Sequence, residues 1–445
     1  MRNFISIFCI YLCFPILAQD DYLNILNEKD RANIVDEILE DRLDNLLPTL
    51  MVNEGVEMWI VISREYNEDP ILKTMLPSTW LSARRRTILV FHKPKVGEFE
   101  KIAIARYDVG KLLKGAWDLD VYPDQWESLM SIIEDRKPQN IALNLSGDYG
   151  LADGLVYTEY KEFIEYLPAE FHDRVVSSEN LAISWLETRT QRELELYKDI
   201  CKIGHHILQQ AFSLDVITPG ETATEDVVWW LRDRVRSLGL DTWFHPTVSL
   251  QRKDVEKFDH LRSFSKRPDR LIIKKGDLLH VDFGVSYLRL NSDQQQHFYV
   301  LNEDEDDVPI YLQEAFKKSN RLQDILTSNF KEGRTGNEIL LASLETAKGE
   351  GINPSIYTHP IGTHGHAAGP TIGMWDQQEG VKGRGEYPLH YNTAYSIELN
   401  TSSEIDEWSK IIRIMLEEDG YFGEDGFHYF DGRATEIFAI PRNKK

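Results

Sequence analysis

Residues 278–300 read LLHVDFGVSYLRLNSDQQQHFYV, two apolar runs joined by a turn-like patch, and they put carboxylates where a buried sheet should not tolerate them. In the first run Leu278, His280 and Asp282 share one face of a strand by period-two alternation, and Leu279, Val281 and Phe283 take the other. Asp293 opens the second run, which continues through Phe298, Tyr299 and Val300. The two aspartates are eleven residues apart, a spacing that suits facing positions across a long hairpin. An isolated carboxylate in an apolar strand is costly unless a cation, a hydrogen-bond cage or a metal compensates it. A strand-end Asp and a turn Asp, both solvated, are the bland alternative.

Further acids and histidines lie downstream. Tyr395-Ser-Ile-Glu398 is a short apolar strand that ends in an acid, and Glu436 sits inside the apolar, β-favouring run after Arg433. Ahead of both comes His359-Pro-Ile-Gly-Thr-His364-Gly-His366-Ala-Ala-Gly369, whose glycines and histidines read as a loop or strand edge. Four acids embedded in apolar strands plus one histidine make an oxygen-rich donor set. That set suits one or two Mn2+, Co2+, Fe2+ or Zn2+ ions better than a thiolate zinc site. Two metals sharing carboxylates would hold a hydroxide at neutral pH and polarise a carbonyl, so hydrolysis is the chemistry that follows.

The flanking sequence supplies helices. Gly220-Glu-Thr222-Ala-Thr-Glu225 and Gly333-Arg-Thr335-Gly-Asn-Glu338 share the pattern G-x-T-x-x-E, each ahead of apolar residues at helical spacing. Both read as capped helix starts, and together they fit two related α/β halves folding about a shared site. Thr190 to Glu193 reads as another capping box, so a domain boundary is expected near Leu186. Before it, helical spacing from Arg31 to Asn53, four short strands and a helix near Gln125 to Glu134 describe a separate α/β domain, with the Arg84–Arg86 run as a solvated edge.

The 445-residue length suits two domains. A net charge of −23 argues against nucleic acid or an anionic membrane surface as partner. The first residues carry Arg2, an apolar run from Phe4 to Ala18 and then an acidic start, the shape of a secretory signal peptide. The expected divisions are therefore a signal peptide over 1–18, an N-terminal α/β domain over 19–185 and a second domain over 186–445, exported to a periplasm or secreted without a stable membrane anchor. Cys201 is the one cysteine outside the leader and reads as packing.

These motifs resemble the creatinase, prolidase and aminopeptidase P group of pita-bread metallopeptidases. Val281-Asp282-Phe-Gly284, Ser292-Asp293, Gly365-His366-Ala-Ala-Gly369 and Tyr395-Ser-Ile-Glu398 follow that group's order of Asp, Asp, His, Glu, Glu, with Glu436 as the last acid. The resemblance implies an α/β (α+β) chain: a creatinase-like domain, then a pita-bread domain of two pseudo-symmetric halves. It implies Asp282, Asp293, His366, Glu398 and Glu436 as ligands of two divalent metal ions, Mn2+ first, with Co2+ or Zn2+ as alternatives and His364 as rival to His366. Glu398 would handle the proton, and His359 would contact substrate. His245 or His260 would fill a second substrate-side histidine position, and Trp375 would stand where the group has a histidine. The activity implied is aminopeptidase or dipeptidase cleavage of Xaa-Pro bonds in a peptide by a metal-activated hydroxide, in a homodimer. A non-catalytic binding module and a creatinase-type hydrolase of small amides or amidines are the alternatives.

Overall fold

The computed structural model describes residues 23–253 and 270–442; the expected leader and His260 lie outside them. Among the described residues no helix is long and apolar enough to cross a membrane.

The N-terminal part is one sheet of β1 (Met58–Arg64), β2 (Arg86–His92), β3 (Glu100–Ala103), β4 (Lys114–Gly115), β5 (Ile141–Leu143) and β6 (Val175–Ser177), in the order β4-β3-β2-β1-β5-β6. Strand β1 is antiparallel to β2 and parallel to β5. Its residues are buried on both faces because helices cover both, which is why the central strands read as continuous apolar runs. Trp59, Val61, Leu89 and Phe91 pack under α1 (Glu28–Asp41), α2 (Leu47–Asn53), α3 (Pro70–Met75) and α6 (Glu179–Glu187). The alternate residues Met58, Ile60, Ile88 and Val90 pack under α4 (Gln125–Arg136) and α5 (Tyr157–Tyr166). The arginine run is less solvated than expected, since Arg86 reaches buried Glu159 at 2.6 Å and Glu162 at 2.6 Å.

The second part opens with α7 (Gln191–Ala211), and here the capping box at Thr190 and Glu193 forms as read. Helix α8 (Thr224–Ser237) starts differently from the expectation. Its N-cap is Ala223, whose N–H donates to Asp226, while the Thr222 hydroxyl accepts from the Thr218 N–H. In the second repeat, Thr335 and Glu338 do form the reciprocal cap of α10 (Gly336–Gly349), which follows α9 (Ile310–Ser328).

Two helix pairs thus enclose the strands. A four-stranded sheet runs β19 (Phe438–Ile440), β11 (Gln294–Val300), β8 (Leu278–Phe283), β7 (Thr247–Gln251), after the short pair β9 (Ser286–Tyr287) and β10 (Leu290–Asn291). Leu279, Val281, Phe283, Phe298 and Val300 face α7 and α8. The other face carries His280, Asp282, Gln295 and His297, paired as Asp282↔Gln295 and His280↔His297. It meets a second layer formed by β12 (Asn353–Ile356), β15 (Leu399–Ile405) and β16 (Lys410–Leu416), with β13 (His359–Pro360), β14 (Thr393–Ser396), β17 (Asp419–Gly423) and β18 (Gly426–Tyr429) as a four-stranded sheet beside them. Helices α9 and α10 cover that layer.

Two close contacts lock the first sheet in place. Gly204 of α7 has no side chain because a Cβ there would lie 1.9 Å from the Gln294 Oε1, and Gln294 in turn donates to the Cys201 carbonyl at 3.1 Å. Buried His297, pushed down to about 4 by loss of solvation, stays neutral. One ring nitrogen lies 3.0 Å from the Leu279 carbonyl and the other accepts from the Met415 N–H, also at 3.0 Å. That imidazole ties β8 and β11 to β16 across the layers.

Candidate metal centre

The site forms where strands change sheets. Between β14 and β15 the chain passes from the four-stranded to the three-stranded sheet at Ile397–Glu398, and between β16 and β17 it returns at Glu417–Glu418. The two crossings are joined by the Ile397 N–H bonding to the Glu418 carbonyl, and Glu417 forms an isolated bridge with Gln295 of β11. Carboxylates at such points face the interior between sheets. Asp293 arrives from the other side, directly before β11, after a turn in which Leu288 and Arg289 both adopt positive φ. His359 is fixed by β13, paired with Ser396 of β14.

Asp293, His359 and Glu417 each present a ligand atom, all within 4.8 Å of one another, and all three are buried. The His359 Nε2 lies 3.4 Å from Glu417 and 3.8 Å from Asp293. Burial first, then the charges of Glu417, Asp282, Asp419 and Glu398, push the Asp293 carboxyl well above the usual range. The same forces, with Glu417 and Asp282 as the charged neighbours, raise Glu398. Among the described residues, Asp293 Oδ1, His359 Nε2 and Asp419 Oδ1 are buried atoms without a hydrogen-bond partner. Carboxylates crowded at low dielectric with orphaned acceptors and an imidazole nitrogen fit a divalent cation, which would satisfy atoms that protein groups leave unsatisfied.

This geometry revises several expectations. His359, read as a substrate contact, stands among the acids. His366, read as the ligand, lies on the loop beyond β13, its ring 4.7 Å from that of His359 in edge-to-face contact and 5.2 Å from Trp243. Its rival His364 is pushed down to about 4 by burial and by the charges of Arg189 and Lys73, away from the acids. Of these two histidines, seven residues apart, His359 is held among the acids by strand pairing and His366 stands on the loop beyond it. Glu436 is exposed ahead of β19 and is not part of the cluster; Glu417 takes the place expected for it. Glu417 was missed although the alternation Ile412, Ile414, Leu416 running into Glu417-Glu418-Asp419 is the same acid-after-strand signal that singled out Glu398.

Trp375 is 52% exposed on a surface turn. His245 is exposed before β7, packed on Trp229 and with its Nδ1 3.1 Å from Arg232. Asp282 and Glu398 are partly open, on the side of the cluster that solvent reaches.

A further layer of polar groups supports the acids. Gln295 donates from its Nε2 to Glu398 at 2.8 Å and Glu417 at 2.6 Å, and the Ser396 hydroxyl donates to Glu417 at 2.7 Å. The Asp293 N–H donates to Asp419 at 2.8 Å. Behind Glu418, His205 is held between that carboxylate at 2.7 Å and Asp431 at 2.8 Å. Burial lowers its proton affinity, but Glu418 and Asp431 more than reverse that and raise it to about 10.

On the approach side, Trp243, Tyr357 and His366 form the wall. Gly365 lets the wall close, since a Cβ there would lie 2.4 Å from the Trp243 ring. His366 is pushed down to about 4 by burial, then by His359 and Arg384, opposed by Glu417. Arg384 is a charge felt by both His366 and Tyr357.

The sequence model of metallopeptidase family M24 matches residues 195–422, just over half of the 445-residue chain and the whole of this centre. The chain belongs to metallopeptidase family M24. No curated protein matches it in sequence. Among solved structures it is similar to an X-Pro aminopeptidase from Thermotoga maritima, at 16% identity and a TM-score of 0.60, over 87% of this chain and 98% of that one. An Xaa-Pro dipeptidase from Bacillus anthracis is similar at 16% and 0.58, over 93% and 100%. A prolidase from Pyrococcus horikoshii is similar at 13% and 0.56, over 92% and 100%. At these identities the likeness is one of fold: this M24 chain has the pita-bread architecture, with helix pairs α7–α8 and α9–α10 about the strands that carry the acids.

Proposed function

We propose that the chain is an exported dinuclear metallopeptidase that removes the residue before proline from short peptides, with Asp282, Asp293, His359, Glu398 and Glu417 as metal ligands. The observation that carries the reading is the buried trio of Asp293, His359 and Glu417, with ligand atoms within 4.8 Å of one another and with Asp293 Oδ1 and His359 Nε2 left without a hydrogen-bond partner. When bound, divalent ions supply Lewis acidity and bring the pKa of water near neutrality. Mn2+ is the first expectation from the oxygen-rich donor set, with Co2+ and Zn2+ next. Glu398, partly open and with one oxygen tied by Gln295, takes the proton of the attacking water on its other oxygen and passes it to the leaving amine. His366, at the rim beside His359, is placed to donate to the scissile carbonyl. Trp243 and Tyr357 offer a flat apolar wall for a pyrrolidine ring. Arg384 favours substrates whose carboxylate comes near that wall, which points to dipeptides and tripeptides. Export rests on the apolar run from Phe4 to Ala18, and a homodimer is the assembly expected with this fold.

The test is metal content of the purified chain, followed by release of the first residue from Xaa-Pro dipeptides and tripeptides with Mn2+, Co2+ or Zn2+ added in turn. About two ions per chain with turnover are expected. Stoichiometric metal with cleavage of creatine-like amidines alone would replace the peptidase reading by a small-amide hydrolase. Absence of metal under every loading condition would leave a binding module.

A further inference from the structure

We propose that Gln295 is a positioning residue for the metal-binding carboxylates, held in one orientation by His280; the inference rests on the metal-centre reading above. Gln295 is 5% exposed in β11. Its backbone N–H bonds to the Glu417 carbonyl at 3.0 Å, and its side chain then turns toward Glu398 and Glu417 together. A carboxylate that holds a metal ion is ionised and only accepts hydrogen bonds, so the amide must present nitrogen to both, one N–H to each. That choice fixes the rest of the chain of bonds. The amide oxygen faces the His280 Nε2 at 2.8 Å, so this nitrogen carries the proton. The Nδ1 is left to accept, with the Ser249 hydroxyl at 3.4 Å. Ser249, His280 and Gln295 stand on β7, β8 and β11, so three adjacent strands set the angle of one amide.

Two consequences follow for the ligands. Gln295 spans the two sheet-crossing points, so it fixes the separation of Glu398 from Glu417 that the metal must match. Among the described residues, the hydrogen-bond donors to these two side chains are neutral, Gln295 and Ser396. A neutral amide aligns two acids without a positive charge that would compete with the ions.

The experiment compares wild type with Gln295→Met, which keeps length and removes both donors, and with His280→Leu and His280→Gln. Co2+ affinity is read by chelator competition and by the visible absorption of the bound ion, and unfolding of the metal-free protein is followed separately. Loss of such partners of a metal ligand weakens affinity about 10- to 100-fold. That loss, with a changed Co2+ spectrum and an unchanged metal-free unfolding midpoint, is expected for Gln295→Met and His280→Leu, and His280→Gln recovers most of it. Wild-type affinity and spectrum in Gln295→Met overturn the inference while leaving the metal centre standing. Should Gln295→Met not fold, the His280 pair decides, and equal affinity in Leu and Gln variants overturns it. Failure of wild type to bind Co2+ overturns the metal centre itself.

Discussion

In a His205→Gln variant, a neutral amide replaces an imidazole that lies 2.7 Å from Glu418 and 2.8 Å from Asp431. The two acids raise its proton affinity from 6.5 to about 10 in the folded chain. The unfolded chain releases that proton near 6.5, so the stabilisation is complete below that pH and disappears as pH climbs through the folded value. Each pH unit between the two is worth about 1.4 kcal/mol. From pH 7 to pH 9 the loss is about 2.5 kcal/mol, a little less than two full units, mainly because the unfolded chain is still partly protonated at pH 7. The variant has no such proton to lose. Urea titrations of both proteins in chelator, at intervals from pH 6 to pH 10, should show wild type more stable at pH 7 and the gap closing by about 2.5 kcal/mol at pH 9. Other titrating groups are common to both proteins and drop out of the difference. A gap that stays constant, or widens with pH, would refute the charged assignment of His205.

Glu417→Gln should lose metal and turnover together, whereas Glu436→Gln should keep both; metal analysis after gel filtration separates them. His359→Ala should lose metal, while His366→Ala should keep it and lose kcat by about 10²- to 10⁴-fold, the usual share of a group acting on the reacting carbonyl. Arg384→Met should raise KM for an Xaa-Pro dipeptide several-fold with little change in kcat, an effect of about 1 kcal/mol for an exposed charge, and unchanged KM would remove Arg384 from substrate recognition. Gly365→Ala should destabilise by about 1–3 kcal/mol, because the added Cβ meets the Trp243 ring; a wild-type urea midpoint would show that the ring gives way.

The β8–β11 hairpin was legible because a period-two pattern needs no knowledge of the partner: Leu279 and Val281 face helices, and His280 and Asp282 face the acids. Capping boxes at Thr190 and Thr335 were legible for the same local reason, whereas at α8 a carboxylate one residue further on, Asp226, outcompeted Glu225. The proposed ligand set was only half readable. Choosing His359 over His366 depends on which of them pairs with Ser396, a contact across many residues. Choosing Glu417 over Glu436 depends on where β16 leaves one sheet for another, and both acids follow or enter an apolar strand. Periodicity tells which side of a strand a carboxylate is on, but not what lies opposite.

The strand that follows Asp293 is paired on one side with β8 and on the other, in parallel, with β19, where Phe298 meets Phe438. A growing chain can complete its first sheet from residues 58–177 alone, but β11 keeps an open edge until residues 438–440 have emerged, and Glu417 is absent until shortly before. Closing contacts across so much chain is slow relative to local pairing. Assembly of the buried trio Asp293, His359 and Glu417 is therefore a late event in folding. An ion present while the earlier strands form meets at most part of the acidic cluster, and one present after residues 438–440 have paired meets all of it.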